Sequence, residues 1–279
     1  MQTISSSNAR EAGAAPLARR TTGSGAAYFE HGTGETLILV HGVGMRLEAW
    51  TPQIEVFSKT HRVIAVDMPG HGESERLSAG STLRDFVAWF GRFLDDVNIT
   101  RANVAGHSMG ALISGGAAAT FAHRITRVAY LNGVYRRDPA AKAAVLARAA
   151  AIRNEGPDTE GPLLRWFGDD PQSQRARELT RAWLERVDPE GYAVAYAAFA
   201  GGDETYADCW PAITCPALFL TGSDDPNSTP EMAEQMAALA PNGWSRIVEG
   251  HRHMVNLTAP ETVNALMTEW LARKEEELA

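Results

Sequence analysis

Ser108 stands in the run GHSMG (Gly106 to Gly110), a hydroxyl between two glycines where an apolar strand gives way to a helix-forming segment. That is the G-x-S-x-G spacing of a nucleophile held on a sharp strand-to-helix turn. The glycines have a physical job, because the turn strains the backbone at the serine and a side chain at either glycine would collide with the neighbouring strand or helix. A serine hydroxyl attacks well only when a histidine takes its proton, and that histidine needs a carboxylate to fix its tautomer and stabilise its cation. Two late segments offer these groups: LTGSDDPNSTP carries Asp224 and Asp225, and VEGHRHMVNLTAP carries His251 and His253. From chemistry alone, either aspartate and either histidine could serve.

The elements that must position these groups can be read from the apolar pattern. Short runs bounded by glycine or proline recur as TLILV (36–40), RVIAVD (62–67), ANVAG (102–106), RVAYLNG (127–133), PALFLTG (216–222) and WSRIVEG (244–250). Longer segments of helical spacing follow most of them, at 83–97, 109–121, 230–239 and 260–274, and the last carries a core-facing stripe of Val263, Leu266, Met267, Trp270 and Leu271. This alternation predicts a mostly parallel sheet covered by helices. Ser108, the aspartates and the histidines each fall just past the carboxyl end of a strand, where active sites gather in open α/β sheets. The stretch 134–208 breaks the alternation with helices such as DPAAKAAVLARAAAIRN and no strand, and reads as a helical insertion. Pro139 fits a first helical turn there.

The bulk numbers narrow the function classes. With 279 residues, 44% of them apolar and 22% charged, the chain is neither disordered nor membrane-embedded and needs no metal or disulfide to build a core. A net charge of -8 opposes binding to nucleic acid. Cys209 and Cys215 lack metal or redox spacing and fit two reduced thiols in a cytoplasmic protein. Residues 1–26 lack the apolar core of a secretory signal and are expected to form a disordered extension, and no run is long enough to span a membrane. The glycine runs form neither G-x-G-x-x-G nor a phosphate-binding loop, and the histidines are not spaced as zinc ligands, so neither metal nor cofactor is expected.

In order along the chain, LVHGVG (39–44), DMPGHGES (67–74), GHSMG, LTGSDDP and HMVNLTAPE resemble the α/β-hydrolase superfamily, in particular its enol-lactonase, C–C-bond hydrolase and esterase branches. The resemblance covers 28–271 and implies an α/β-hydrolase core (27–133 and 209–279) with a helical cap at 134–208 over the nucleophile. It implies Asp225 as the acid, with Asp224 the fallback, and His253 as the base. Oxyanion donors would be the backbone amide of Met109, by the geometry of the turn, and that of Val43, by resemblance. His41 is expected to brace its loop and His71 to be structural. Aromatic residues of the insertion, Trp166, Phe167, Trp183, Tyr192, Tyr196, Phe199 and Tyr206, can wall an apolar pocket. Arg46, Arg165 and Arg252, with Trp166, are the candidate substrate-binding residues, because an arginine near the nucleophile can hold a carboxylate through paired hydrogen bonds.

The expected function is a cofactor-free serine hydrolase acting on a small ester, enol-lactone, amide or C–C-cleavable carboxylic acid from aromatic or heteroaromatic breakdown. The alternatives are a cofactor-free haloperoxidase or perhydrolase, and a hydrolase-fold receptor with slow turnover. The expected partner is a small molecule, with no nucleic acid and no membrane, and a homo-oligomer is left open.

Overall fold

The computed structural model describes residues 17–273. Eight strands form one sheet: β1 (Arg20–Thr21), β2 (Ala27–His31), β3 (Thr36–Val40), β4 (Arg62–Val66), β5 (Ala102–His107), β6 (Ile125–Leu131), β7 (Ala217–Gly222) and β8 (Gly243–Val248). Their order is β1-β2-β4-β3-β5-β6-β7-β8, with β2 antiparallel to both neighbours and every pairing from β4 to β8 parallel. The helices are α1 (Thr51–Phe57), α2 (Leu83–Asp96), α3 (Met109–Thr120), α4 (Pro139–Glu155), α5 (Glu160–Trp166), α6 (Pro171–Leu184), α7 (Pro189–Ala200), α8 (Pro230–Leu239), α9 (Val255–Thr258) and α10 (Pro260–Ala272).

Side chains alternate across the sheet with the two-residue period of a strand. Ile38, Val40, Ile64, Val66, Val104, Val128 and Phe219 face one core, which α2 caps with Phe86, Phe90 and Phe93. Their neighbours Leu37, Leu39, Val63, Ala65, Ala105, Leu131, Leu218 and Leu220 face the other, filled by Trp50, Ile54, Met267 and Trp270. Burial on both faces explains why the inner strands read as continuous apolar runs. The chain leaves β3 toward β4 on one side and β5 toward β6 on the other, so the order reverses between β3 and β5. A crevice opens at such a switch point, beyond the strands' carboxyl ends.

Helices α4 to α7 all lie within the inserted stretch, and three of them start with Asp-Pro. Asp138, Asp170 and Asp188 accept backbone N–H bonds at the N-termini of α4, α6 and α7, while the proline after each occupies the first turn. There its missing N–H costs nothing and its fixed φ suits the helix.

The expected extension over 1–26 differs from the structure in its second part, and residues 1–16 lie outside the described residues. Residues 20–21 form β1 against β2, and Arg19 is buried between two carboxylates. Its guanidinium donates to both Glu48 oxygens at 2.8 and 2.7 Å and to Asp67 at 2.6 Å. A buried arginine with these partners fixes the segment around it.

Candidate active site

Ser108 sits between β5 and α3 with φ 56° and ψ −116°, a left-handed conformation that few non-glycine residues adopt. Its N–H bonds the Leu131 carbonyl at 2.9 Å, which ties the turn to β6. A Cβ at Gly106 would lie less than 3.0 Å from the Gly110 carbonyl, and one at Gly110 less than 3.0 Å from the carbonyls of Val40 and His41. The two glycines therefore let α3 lie close against β5 and β3. That packing aims the strained serine at the crevice.

Asp225 follows β7 and His253 follows β8, and His253 Nδ1 lies 2.7 Å from Asp225 Oδ2. Both side chains are buried. Asn132, after β6 and itself at φ 47°, donates to the same carboxylate oxygen at 2.9 Å, and the Asn227 N–H donates to the other at 2.8 Å. Burial favours the neutral acid, but the adjacent imidazole and these donors outweigh it and hold the Asp225 carboxyl below its ordinary range. The other candidates point elsewhere. Asp224 is exposed and accepts from Ser223, and the His251 ring meets Thr258 Oγ1 at 2.9 Å.

Ser108 and His253 line one cavity of about 250 Å³, together with Val43, Trp166, Tyr196, Phe199, Pro226, Asn227 and three arginines. Met109 is the first residue of α3, where an α-helix leaves the N–H without an intrahelical acceptor. The loop carrying Val43 is pinned from two sides. His71 Nε2 accepts from the Gly44 N–H at 2.9 Å, and His41 bridges the Gly42 carbonyl and the Met68 N–H. His107, inside the serine motif, has its Nε2 2.8 Å from the His253 carbonyl and its ring 5.1 Å from the His253 ring. The Trp166 ring stands 5.7 Å from His253 on the cavity side.

The arginines divide differently from the sequence-based expectation. Arg165 lines the cavity as expected, but Arg46 does not: its Nε donates to Glu48 at 2.7 Å. Arg252 is also outside: it donates at 3.0 Å to each of the Leu164 and Phe167 carbonyls, where it covers the C-terminal end of α5. Arg137 and Arg148 take their places in the wall. Sequence reasoning missed both, although Arg137 lies a few residues past the end of β6. No acidic side chain lines this cavity among the described residues.

Among the described residues no cluster of three or more His, Cys, Asp or Glu side chains could hold a metal ion, and no helix is long and apolar enough to cross a membrane. Cys209 and Cys215 are not joined in a disulfide.

Residues 37–266 match the alpha/beta hydrolase family. An (E)-2-((N-methylformamido)methylene)succinate hydrolase of Acinetobacter baylyi is 53% identical over 88% of this chain and 93% of its own. Among solved structures, the enol-lactonase of Burkholderia xenovorans LB400 superposes with a TM-score of 0.82 at 28% identity, over 92% of this chain and 100% of its own. A thermophilic esterase of Thermogutta terrifontis, solved with malate bound, superposes with a TM-score of 0.82 at 26% identity, over 92% and 98% of the two chains.

Proposed function

The chain belongs to the α/β hydrolase family and is a hydrolase, and we propose that it works through Ser108, His253 and Asp225 on a small substrate that carries a carboxylate. One observation carries this reading. The serine on the strained turn and the imidazole paired with Asp225 open onto a single cavity whose wall, among the described residues, holds arginines and no acid.

In the proposed cycle, the Asp225 carboxylate accepts a hydrogen bond from His253 Nδ1–H, which fixes the tautomer whose Nε2 is unprotonated toward Ser108. Ser108 Oγ attacks the substrate carbonyl while His253 Nε2 takes the hydroxyl proton. The carbonyl oxygen becomes an oxyanion facing the Val43 and Met109 amides, which the loop and helix hold in place before reaction. Collapse breaks the bond to the leaving group, and His253 returns the proton to it. Water then attacks the acyl-enzyme, with His253 as base, and releases the second product as Ser108 regains its proton.

The substrate class rests on the wall and on the relatives. The Acinetobacter relative is named for a compound with an N-formyl group and two carboxylates, and the Thermogutta esterase was solved with a dicarboxylate bound. A carboxylate held away from the reacting carbonyl lends its binding energy to positioning, so it raises kcat as well as lowering KM. The scissile bond proposed here is that of an acyl group on oxygen or nitrogen: an ester, enol-lactone or amide.

Labelling with a fluorophosphonate, read by mass spectrometry, tests the nucleophile. Ser108 should carry the adduct in the wild-type protein, and Ser108→Ala should give neither adduct nor turnover while melting at the wild-type temperature. An adduct that persists in Ser108→Ala rejects the assignment. Multiple turnover of an acid and of its methyl ester, with the acid preferred, is the result expected for the substrate class.

A further inference from the structure

The arginines of the cavity wall occupy two different settings. Arg137 follows β6 and is buried, with its guanidinium 4.4 Å over the Phe199 ring. Its polar partners are poorly met: Nη1 reaches the Phe199 and Ala200 carbonyls only at 3.5 Å and Asp203 Oδ1 only at 3.4 Å. Nη2 has no hydrogen-bond partner, although it is buried. A guanidinium carries five N–H donors in a rigid fork, and leaving one of its nitrogens unpaired away from water is costly. Burial also disfavours its charged form. An anion in the cavity would answer both deficits.

Arg148 of α4 and Arg165 of α5 stand apart from it. Both also line a second cavity of about 290 Å³, bounded by α4, α5 and α7, which Arg137 does not touch; Glu155 and Asp158 line it too, so the acid-free side of this pair is the one that faces Ser108. Arg148 Nε donates to the Tyr196 hydroxyl at 3.2 Å, and neither arginine has an ion-pair partner among the described residues. The Tyr196 ring also faces both cavities, so this pair forms the partition between them.

We propose that the active-site cavity recognises a dicarboxylate through two separate subsites, an inner one at Arg137 and an outer one at Arg148 and Arg165. The inference rests on the catalytic reading above and adds to it the number of carboxylates and the side chains that take each. The inner subsite accepts a carboxylate on the Arg137 nitrogen that lacks a partner. The outer subsite takes the second carboxylate where the partition faces solvent. Arg137 and the outer pair are then specificity-determining residues, while bond cleavage stays with Ser108 and His253. Two such subsites in one wall also disfavour a substrate that brings only one carboxylate, since the donors of the other subsite are then left without an acceptor from the ligand.

Competitive inhibition tests this without a known substrate. Hydrolysis of 4-nitrophenyl acetate serves as the reporter, and the inhibitors are methylenesuccinate and its two monomethyl esters. In the wild-type protein the dianion should bind at least tenfold more tightly than either half-ester. Arg137→Met should weaken the dianion and one half-ester by tenfold or more and leave the other half-ester nearly unchanged. Arg165→Met, with Arg148→Met as its companion, should give the opposite pairing. Arg137→Lys keeps the charge paired with Asp203, so it separates loss of the fork from loss of the fold, and it should retain part of the discrimination. The idea is overturned if all three inhibitors bind alike in the wild type, or if both classes of variant weaken them uniformly. A fluorophosphonate adduct on Ser108 in the same preparations shows that such a failure belongs to the two-subsite inference; an adduct elsewhere would sink the catalytic reading first.

Discussion

Two pairs of neighbours show how little sequence spacing decides at the scale of the residue. Asp224 and Asp225 are adjacent, yet one is exposed and the other buried against His253, because the turn after β7 sends alternate side chains to opposite sides. Asp225→Asn should therefore lower kcat by about 10⁴, the size seen when a triad aspartate is neutralised and the imidazole takes the wrong tautomer, whereas Asp224→Asn should leave it within twofold. Steady-state kinetics on any ester the wild type accepts will read the difference, and equal losses would remove Asp225 from the proposed triad. His253→Ala and His251→Ala should divide in the same way, since His251 is engaged with Thr258. The serine motif and the Asp-Pro and His-Met signatures were legible in the sequence because each sits at a strand end. The arginines were not: Arg46 and Arg252 lie one to three residues from site groups but turn away to Glu48 and to the end of α5, and chain proximity carries no direction for so long a side chain. Arg137 has the better signal, a strand's carboxyl end, but its chemical interest lies in an unmet nitrogen that only packing reveals.

At the scale of the element, the parallel strands and the flanking helices α2, α3, α8 and α10 were legible to within two residues, since burial on both faces leaves apolar runs and α10 keeps its stripe, whereas the seven-residue α1 was not read. The edge strands β1 and β2 were missed. β2 reads AYFEH with three half-buried residues, and β1 has only two residues, both exposed, so neither shows the pattern of a core strand. Two glycine substitutions measure how tightly α3 is set. Gly110→Ala drives a Cβ into the backbone of β3, where no rotamer can relieve it, and should destabilise the fold by about 3 kcal/mol or give insoluble protein. Gly23→Ala has nothing within 4 Å and no left-handed φ, so it should be neutral or stabilise by a few tenths of a kcal/mol. Chemical denaturation of both variants makes the comparison; similar midpoints would mean that α3 can move away from the sheet. In the insertion, Asp170→Ala removes the cap of α6 and should cost about 1 kcal/mol.

Across the whole molecule, the catalytic edge of the sheet is stitched by neutral imidazoles that take no part in the proposed chemistry. His41 joins the loops after β3 and β4, His71 returns from the loop after β4 to the Gly44 N–H, and His107 ties the serine turn to the carbonyl of His253 beyond β8. His41 and His71 each accept a backbone N–H, which a protonated ring cannot do. Burial holds His71 down to about 4, burial beside the His253 ring holds His107 down to about 3, and burial with His71 nearby lowers His41 well below its ordinary value. The unfolded chain protonates these rings near 6.5, so between that pH and the lower folded values it binds more protons than the native state. Stability is thus full above 6.5 and is lost as pH falls through this window. For His71 and His107 the loss by pH 5 is about 2 kcal/mol each, together enough to lower Tm by roughly 7 °C in a chain of this size. The Asp225 carboxyl, held below its ordinary 3.8, weakens the fold only in a more acidic range and does not contribute there. Melting curves at pH 7, 6 and 5 should show this decline, and His71→Gln, whose amide oxygen can accept the Gly44 N–H without titrating, should flatten it by about the share of one histidine. If the slope of Tm against pH is the same in His71→Gln as in the wild type, His71 is not one of the groups that couple the active-site edge to pH.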